Sequence, residues 1–429
     1  MQFIPIAVLF ILFFLNVPIA FSLMGSSLVY FIFINTTMSM EMVIQQFVTS
    51  VESFPYLAVP FFIMVGSVMN YSGISEALMD LANVLVGHTK GGLAQVNVLL
   101  SALMGGISGS ANADAAMQSK MLVPEMTKKG FPLPFSAAVT AASSAVSPVI
   151  PPGTNLILYS IIAGIPVGTM FLAAYGPGIL MTIAMMIVVQ IISVKRNYKP
   201  SFEKRATFLD FIKQLIHSIW ALVIPFGIIM GMRMGAFTPT EAGAIACVFA
   251  LFVGFFVYKK LKLHHLPIIL KDTVQSTGAV LLIIASAKVF GYYMTLERIP
   301  QMITEFLVGF TNSPIVLLII INLLLLVICM FIEGGAALVI LAPLLVPAVK
   351  TFGIDPVHFG MIFIVNIMIG GLTPPFGSMM FTVCTILDVK LEDFIKEVWP
   401  FIVSLLVVLA MVTFSEKIAL FVPLIFGGV

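Results

Sequence analysis

Between Gly130 and Val194 the chain carries no aspartate, glutamate, lysine or arginine. A membrane-crossing helix needs only about 20 apolar residues, so this stretch is long enough for more than one crossing. Of all 429 residues 60% are hydrophobic and 9% are charged, whereas soluble domains carry about 25% charged residues. In lipid each backbone polar group must be satisfied within its own segment, and the alternating strands of a barrel are absent. The sequence therefore predicts an all-α polytopic membrane protein.

The first apolar segment, FIPIAVLFILFFLNVPIAF, lacks a basic n-region and a small-residue cleavage site. We therefore expect a retained helix and not a signal peptide. The cysteines Cys247, Cys329 and Cys384 lie far apart, and no Cys/His spacing typical of a metal site occurs. The net charge of +2 gives no indication of nucleic-acid binding.

Basic residues are concentrated in alternate connections. One set contains Lys90, Lys128, Lys129, Lys195, Arg196, Lys199, Lys204, Arg205, Lys213, Lys259, Lys260, Lys262, Lys271, Lys390 and Lys396. Only Arg233, Arg298, Lys350 and Lys417 fall in the other connections. If the larger set is cytoplasmic, two pairs of apolar segments must turn back before crossing. The sequence thus predicts two re-entrant helical hairpins, with tips at residues 108–111 and 333–335.

The two halves of the chain repeat. Leu122-Val123-Pro124 recurs as Leu345-Val346-Pro347, Gly130 as Gly353, and Pro151-Pro152 as Pro374-Pro375, each 223 residues later. The two hairpins open to opposite sides, so the repeat is inverted. Inverted repeats with interrupted helices are typical of secondary transporters that bind substrate near the membrane midplane.

Each predicted tip is followed by a second helix break, in SAVSPVIPPGTN and in GGLTPPFGS. Proline removes a helical hydrogen bond, so these breaks free backbone carbonyls and N–H groups. Oxygen ligands suit Na⁺, and we expect each tip to form a sodium site with the break that follows it. The first site would comprise Ser108, Ser110, Asn112, Ser147 and Pro151. The second would comprise Glu333, Gly334, Gly335, Thr373 and Gly377. Close packing of small residues is the alternative for any one stretch.

An anionic substrate would lie near the helix ends at the same breaks, with Asp114, Pro152, Thr154 and Pro375 as candidate residues. Carboxylates inside a membrane are functional candidates by default. Asp114 could equally be a structural carboxylate that interacts favourably with the dipole at the start of its helix. Glu333 could likewise be a helix-capping residue. Lys120 and Lys288 also lie in apolar segments, where they could pair with a partner or extend to the interface.

Gly106-Ile107-Ser108-Gly109 also fits a G-x-S-G pattern, which leaves an intramembrane serine protease as a remote alternative. That chemistry needs a base within hydrogen-bond reach of Ser108. Four of the five histidines lie in or beside connections, and His358 begins a span that opens to the opposite side. We therefore expect no enzyme.

The segments GGISGSANADAA, LVPEMTKKGF, SPVIPPGTNLILYSIIAGIPVGTMFLA and LLVPAVKTFGIDPVHFGMIFIVNIMIGGLTPPFG resemble the large membrane subunit of tripartite ATP-independent periplasmic (TRAP) transporters. The resemblance covers nearly the whole chain. It implies a sodium-coupled importer of an organic acid anion, of the sialic acid or C4-dicarboxylate class, in the bacterial inner membrane. It implies a periplasmic binding protein and a small membrane subunit, here expected as a separate chain, as partners. It also implies an elevator-type transport domain that moves against a scaffold.

On this resemblance we divide the chain into five parts. Residues 1–75 are N-terminal scaffold helices, 76–165 the first repeat of the transport domain, and 166–290 further scaffold helices with the cytoplasmic connector. Residues 291–390 are the second repeat, and 391–429 the C-terminal scaffold helix. Arg233, Glu241 and Arg298 are candidates for docking the binding protein, although Glu241 could instead be a charge at a helix N-terminus, after Thr240. A stand-alone sodium/dicarboxylate symporter or ion antiporter of similar fold is the alternative function.

Overall fold

The computed structural model describes residues 2–15, 17–35, 38–52, 54–202 and 205–426. In these residues the chain forms α-helices, short 3₁₀ and π segments, and no β-strand. The helices are α1 (Ile4–Phe14), α2 (Ile19–Val29), α3 (Met40–Thr49), α4 (Ala58–Ser72), α5 (Ile74–Val86), α6 (Gly92–Ser108), α7 (Ala111–Met121), α8 (Val123–Lys128), α9 (Leu133–Ser144), α10 (Thr154–Ala163), α11 (Val167–Lys195), α12 (Phe208–Arg233), α13 (Pro239–Phe252), α14 (Leu266–Leu296), α15 (Ile299–Phe310), α16 (Pro314–Cys329), α17 (Gly334–Thr351), α18 (Pro356–Leu372), α19 (Ser378–Leu387), α20 (Leu391–Phe414) and α21 (Glu416–Phe426).

Several helices are long and apolar enough to cross a membrane, which confirms the predicted all-α polytopic class. By length and composition they are α11, α12, α13 together with the π-helical turn that extends it to Val257, α14, α17 and α20, with one further crossing if α4 and α5, bent by 72°, count as one span. In contrast, α7, α10 and α19 have only 10 or 11 residues. At 1.5 Å per residue each is about 15 Å long, half of a hydrocarbon core of about 30 Å.

The N-terminal segment differs from its prediction. We expected one helix, but the chain forms two, α1 and α2, which pack against each other. Pro18 precedes α2 with an extended backbone (φ −56°, ψ 142°), since its ring cannot continue the α1 helix. The apolar residues on both sides suggested one continuous helix, although Pro18 is the residue type that ends one.

The internal repeat recurs in the helix boundaries. Helices α7 and α8 together correspond to α17, which contains two prolines. Helix α9 corresponds to α18, and α10 corresponds to α19. The first residues of α7 and α17 are Ala111 and Gly334, which preserves the 223-residue offset. Gly130 and Gly353, the paired glycines of the repeat, both adopt positive φ, of 87° and 72°. A side chain would strain the backbone there, so both turns require glycine.

Helices of the two repeats pack against one another. Within a repeat, the first arm of the hairpin packs against the first half of the broken helix: α6 on α9, and α16 on α18. Between repeats, the second arm packs against the second half of the other broken helix: α7 on α19, and α17 on α10. The hairpins and broken helices therefore form one interlocked body. The orientation of the hairpins relative to a bilayer, and with it the inverted sense of the repeat, stays a prediction.

Other helices surround this body. Helix α4 packs against α13, α5 against α12, α2 against α14, and α11 against α21. A separate buried cluster joins α1, α2 and α14 to Val339 and Ile340 of α17. Two of the predicted domain boundaries, after residues 75 and 290, fall inside α5 and α14. The division into scaffold and transport domain stays a prediction.

Candidate functional site: two hairpin tips and two helix breaks

The first tip is a sharp turn between α6 and α7. Gly109 ends α6 in the left-handed conformation (φ 57°), and Ser110 starts α7 as its N-cap. The Ser110 hydroxyl accepts a hydrogen bond from the Ala113 N–H at 3.4 Å. Glycine makes this reversal possible at little steric cost. The backbone of Ser108 belongs to α6, and its side chain lies outside the described part of the structure.

The first tip lies against the first helix break, as the sequence predicts. The Thr154 hydroxyl donates a hydrogen bond to the Gly109 carbonyl at 3.2 Å. A Cβ on Gly109 would lie 3.1 Å from the Pro152 carbonyl oxygen, and one on Gly105 would lie 3.0 Å from the Ser147 carbonyl oxygen. The two backbones therefore approach closely, and a side chain at Gly109 would require both a left-handed backbone and a small shift of the break.

The first break occupies residues 145–153 as a series of turns between α9 and α10. Ser147 and its neighbours are buried, and the Ile150 N–H bonds back to the Val146 carbonyl at 3.2 Å. Pro151 and Pro152 have no N–H to donate, so the helix cannot continue through them. The Pro151–Pro152 bond and its repeat equivalent, Pro374–Pro375, are both cis.

The second tip lies against the second break. A Cβ on Gly370 would lie 2.7 Å from the Cys329 carbonyl oxygen, which brings the end of α16 onto α18. The Phe331 and Phe376 rings meet with centroids 5.5 Å apart. Gly334 also lies directly against Ile367 of α18. Glu333 is exposed and is the N-cap of α17, where its Oε2 accepts the Ala336 N–H at 3.2 Å.

Thr373 and Gly377 delimit the second break, between α18 and α19. The Thr373 hydroxyl donates to the Ile369 carbonyl at 2.6 Å, and the Gly377 N–H donates to the Thr373 carbonyl at 3.2 Å. A Cβ on Gly377 would lie 2.7 Å from the Gly371 carbonyl oxygen. The break is thus a compact turn whose carbonyls cluster around Gly377, with Pro375 at its centre.

One contact joins the two repeats at the first tip. Asn112, in the first turn of α7, lies with its Oδ1 3.5 Å from the Thr382 hydroxyl of α19. Thr382 also donates to the Ser378 carbonyl at 2.9 Å. Asn112 is only partly buried. A neutral side-chain oxygen from one repeat therefore faces a hydroxyl from the other, where α7 packs against α19.

Asp114 is buried between the two arms of the first hairpin. Its Oδ2 accepts hydrogen bonds from the Ser101 hydroxyl at 2.8 Å and from the Gln118 amide at 2.9 Å. Gln118 also bonds Ser101, at 2.6 Å. The carboxylate thus ties α6 to α7 and lies in the first turn of α7, where the helix dipole favours it. The sequence reasoning missed both partners, although Gln118 stands at the i+4 position of a helix.

Paired asparagine networks were also missed. In the first repeat, Asn97 of α6 donates to the Thr140 hydroxyl at 2.8 Å and accepts from the Ser143 hydroxyl at 2.6 Å. In the second, the Asn366 amide of α18 donates to the Asn322 Oδ1 of α16 at 2.7 Å. Ser143 and Asn366 are repeat equivalents at the 223-residue offset, which is the signal that could have revealed them. Each network fastens the first arm of a hairpin to its own broken helix.

The candidate docking residues lie apart from the tips. Glu241 completes a capping box at the start of α13: its Oε2 accepts from the Thr238 N–H at 2.7 Å, and the Thr238 hydroxyl accepts from the Glu241 N–H at 3.3 Å. The N-cap is therefore Thr238 and not Thr240, because Pro239 takes the first helical position. Arg298 is exposed as the N-cap of α15, and the side chain of Arg233 lies outside the described part.

Comparison with known proteins gives a family match over most of the chain. Residues 6–418 match the family described as "Tripartite ATP-independent periplasmic transporter, DctM component". The sialic acid TRAP transporter large permease protein SiaM of Vibrio cholerae is 39% identical over 419 residues, 97% of each chain. The C4-dicarboxylate TRAP transporter large permease protein DctM of Pseudomonas aeruginosa is 34% identical over 89% of each chain. The sialic acid TRAP transporter permease protein SiaT of Haemophilus influenzae is 34% identical over 98% of this chain and 68% of its own length.

Two solved transporter structures share the fold. The YdaH transporter of Alcanivorax borkumensis aligns with a TM-score of 0.64 at 14% identity, over 86% of each chain. MtrF of Neisseria gonorrhoeae aligns with a TM-score of 0.56 at 14% identity, over 87% of this chain and 83% of its own. At this identity the likeness concerns the fold alone.

Proposed function

Because this chain belongs to the DctM component family of tripartite ATP-independent periplasmic transporters, we propose that it imports an organic acid anion by sodium-coupled elevator transport. Family members are integral permease components of the inner membrane and not enzymes, so the serine protease alternative falls away. The family description also names a tripartite assembly, which does not fit the stand-alone symporter or antiporter alternative. The observation that carries the proposal is that each hairpin tip lies against the helix break of its own repeat.

Sodium binding at the first tip is supported by its oxygen atoms. The Gly109 carbonyl, Asn112 Oδ1 and Thr154 hydroxyl lie at the tip, and the Ser147 carbonyl faces Gly105. These are neutral oxygens, which bind a hard cation without the permanence of a carboxylate cage. Sodium is here a co-transported ion that must be released in every cycle. We propose Ser108, Ser110, Asn112, Ser147 and Pro151 as the members of this first sodium site.

The second tip offers a different ligand set. Glu333 supplies a carboxylate at the tip, and the turn around Gly377 supplies the Thr373 and Gly371 carbonyls. Gly334 packs against Ile367, and Gly335 lies beside the Glu333 carboxylate, where a Cβ would lie 3.1 Å from Oε2. We propose that Glu333 retains one oxygen for a cation while the other caps the helix.

The substrate is proposed from chemistry and from the relatives. Two of the relatives are named for sialic acid and one for C4-dicarboxylates, all of which are carboxylic acids. Helices α10 and α19 begin directly after the breaks, and helix N-termini favour anionic groups. We therefore place the substrate carboxylate near Thr154 and the Pro152 and Pro375 turns. The burial of Asp114 favours a supporting role for it, in which it fixes the arm of α7.

Partners are proposed from the family description. A tripartite periplasmic transporter requires a substrate-binding protein and a small membrane subunit. The longer Haemophilus relative extends well beyond the part that matches this chain, so a small subunit on a separate chain stays a prediction. Docking of the binding protein at Arg233, Glu241 and Arg298 also stays a prediction, and the exposure of Glu241 and Arg298 is compatible with it.

The elevator mechanism is supported by the packing of helices of one repeat against helices of the other. Because α7 packs on α19 and α17 on α10, neither repeat can move without the other. A rigid body of this kind suits transport in which tips and breaks carry the bound anion together through the membrane.

Reconstituted uptake tests the proposed function. The protein, with its small subunit, is placed in liposomes and supplied with the cognate binding protein loaded with labelled N-acetylneuraminate or succinate. We expect uptake only with an inward sodium gradient, without ATP. Undiminished uptake in potassium alone would contradict sodium coupling, and uptake without any binding protein would contradict the tripartite assignment.

A further inference from the structure

The second hairpin tip borders a cavity of about 520 Å³, and apart from Glu333 no residue of the proposed sodium and substrate sites lines it. Three parts of the chain form its walls: the turn between α1 and α2, the middle of α14, and the turn between α16 and α17. The walls are apolar, and their larger side chains are Phe13, Phe21, Leu282, Ile283, Phe331 and Ile332. Phe21 and Phe331 are 60% and 61% exposed, so the cavity opens at the outer surface of the protein.

Glu333 is the only charged residue in the described lining of this cavity. Its Oε2 accepts the Ala336 N–H at 3.2 Å, while its Oε1 has no hydrogen-bond partner among the described residues. No lysine, arginine or histidine of the described residues lies within ion-pair distance of the carboxylate. A carboxylate without a counter-ion is costly beside apolar walls in a chain that spans a membrane. The cavity therefore combines an apolar space with one negative charge that has a free oxygen.

The volume and charge of the cavity define the class of ligand that it would take. Ligand pockets commonly have volumes of about 300–1,000 Å³, so this cavity suits a compact organic molecule. Its apolar walls favour an aromatic or hydrocarbon body, while the Glu333 carboxylate and the phenylalanine rings favour an ammonium group. Helix α2 begins at Ile19 on another wall, and a helix N-terminus disfavours a cation. These features orient the ammonium group toward Glu333 and the apolar body toward α1 and α2.

We propose that this cavity is a binding site for a hydrophobic organic amine. The protonated nitrogen pairs with Oε1 of Glu333, and the apolar body fills the space between α1, α2 and α14. The occupant contacts both the second tip and helices that surround the interlocked repeats. It therefore competes with a cation for Glu333 and holds the tip against α2 and α14, so that an amine of this class inhibits transport. That inhibition rests on the proposed function, whereas binding of the amine does not.

Matched compounds test the two parts of this site. Dibenzylamine has an apolar body and is protonated at neutral pH. Dibenzyl ether has the same body without the charge, and dimethylamine has the charge without the body. Binding of each compound to the purified protein, in nanodiscs of zwitterionic lipid and sodium-free choline chloride, is measured by isothermal titration calorimetry, with empty nanodiscs as the blank. We expect dibenzylamine to bind at least about tenfold more tightly than either of the other compounds.

Substitutions separate the charge from the space. Glu333→Gln keeps an acceptor for the Ala336 N–H and removes the charge, so it should weaken dibenzylamine binding at least about tenfold and leave dibenzyl ether binding unchanged. Ala279→Phe, at an exposed residue that lines the cavity, should weaken binding of both compounds because the ring fills the space. Glu241→Gln changes an exposed carboxylate outside the cavity and is the matched control, with unchanged binding.

Equal affinities for dibenzylamine and dibenzyl ether would overturn the proposal, because the cavity would then take neutral molecules such as lipid chains. Unchanged dibenzylamine binding in Glu333→Gln or in Ala279→Phe would also overturn it. Because these measurements use neither sodium nor uptake, a failure of sodium coupling would leave their outcome unchanged.

Discussion

Ser110 and Glu333 occupy the same position in the two repeats, each as the N-cap of the returning helix of a hairpin. Ser110 accepts the Ala113 N–H at 3.4 Å, and Glu333 accepts the Ala336 N–H at 3.2 Å. The two bonds lie 223 residues apart, at the offset of the proline and glycine repeats. The tips are therefore built alike but carry different charges, neutral in the first repeat and acidic in the second.

Two substitutions of Glu333 can distinguish a role in helix capping from a role in ion binding. Glu333→Gln keeps an oxygen that can accept the Ala336 N–H, whereas Glu333→Ala removes it. We expect Glu333→Gln to retain the melting temperature and to raise the sodium concentration for half-maximal uptake about tenfold, because a charged ligand is lost. Glu333→Ala should also lose about 1 kcal/mol of stability as a lost cap. Normal sodium dependence in Glu333→Gln would reduce Glu333 to a cap.

The asparagine networks predict a stability effect. Asn97→Ala removes the buried partner of the Thr140 and Ser143 hydroxyls, so the free energy of unfolding should fall by about 1–3 kcal/mol. Asn70→Ala, which changes an exposed asparagine on α4, is the matched control and should change it by less than about 0.5 kcal/mol. Thermal unfolding in detergent measures both. Equal effects of the two substitutions would show that Asn97 does not fasten α6 to α9.

The orientation of the hairpins can be tested at repeat-equivalent positions. Lys128 and Thr351 are both exposed at helix ends, 223 residues apart. With the native cysteines buried, Lys128→Cys should react with a membrane-impermeant maleimide only from the cytoplasm. Thr351→Cys should react only from the periplasm. Labelling of both from one side would exclude the inverted repeat.

Two substitutions of Glu241 can likewise distinguish a role in docking the binding protein from a role in helix capping. Glu241→Gln keeps an acceptor for the Thr238 N–H, while Glu241→Lys removes it and reverses the charge. If the binding protein docks there, both substitutions should raise the binding-protein concentration for half-maximal uptake, by a few-fold, because exposed ion pairs are weak. A shift in neither variant would remove Glu241 from the docking surface and leave it as part of the Thr238 capping box.

Much of the architecture could be predicted because it depends on local chemistry. Proline and glycine break helices wherever they stand, so the tips, the breaks and the repeat of Pro151-Pro152 in Pro374-Pro375 followed from sequence. The turn before Pro18 was missed because the interpretation of this segment used its high hydropathy alone and did not use the helix-breaking proline within it. A proline at the first helical position also displaced the expected cap from Thr240 to Thr238.

Features that depend on tertiary packing could not be predicted. The burial of Asp114 against Ser101 requires the two arms of the hairpin to be in contact, and no spacing within one helix reveals that. The same holds for Asn97 with Thr140, and for Lys288, which lines a cavity of about 800 Å³ between α14, α10 and α17. The ligand sets of the two sodium sites remain predictions for the same reason, because they depend on which carbonyls converge at each tip.

The central claim is that the hairpin tips bind sodium, and Asn112 tests it most directly. The measurement is the sodium concentration for half-maximal uptake by the reconstituted transporter with its binding protein. Asn112→Ala should raise it by about one to two powers of ten, since loss of a polar ligand costs roughly 1–3 kcal/mol. Asn70→Ala should leave it unchanged, and both variants should insert and unfold normally, since neither removes a large packing group. If Asn112→Ala transports with the same sodium dependence as the unmodified protein, the first tip is a packing device and the account is wrong.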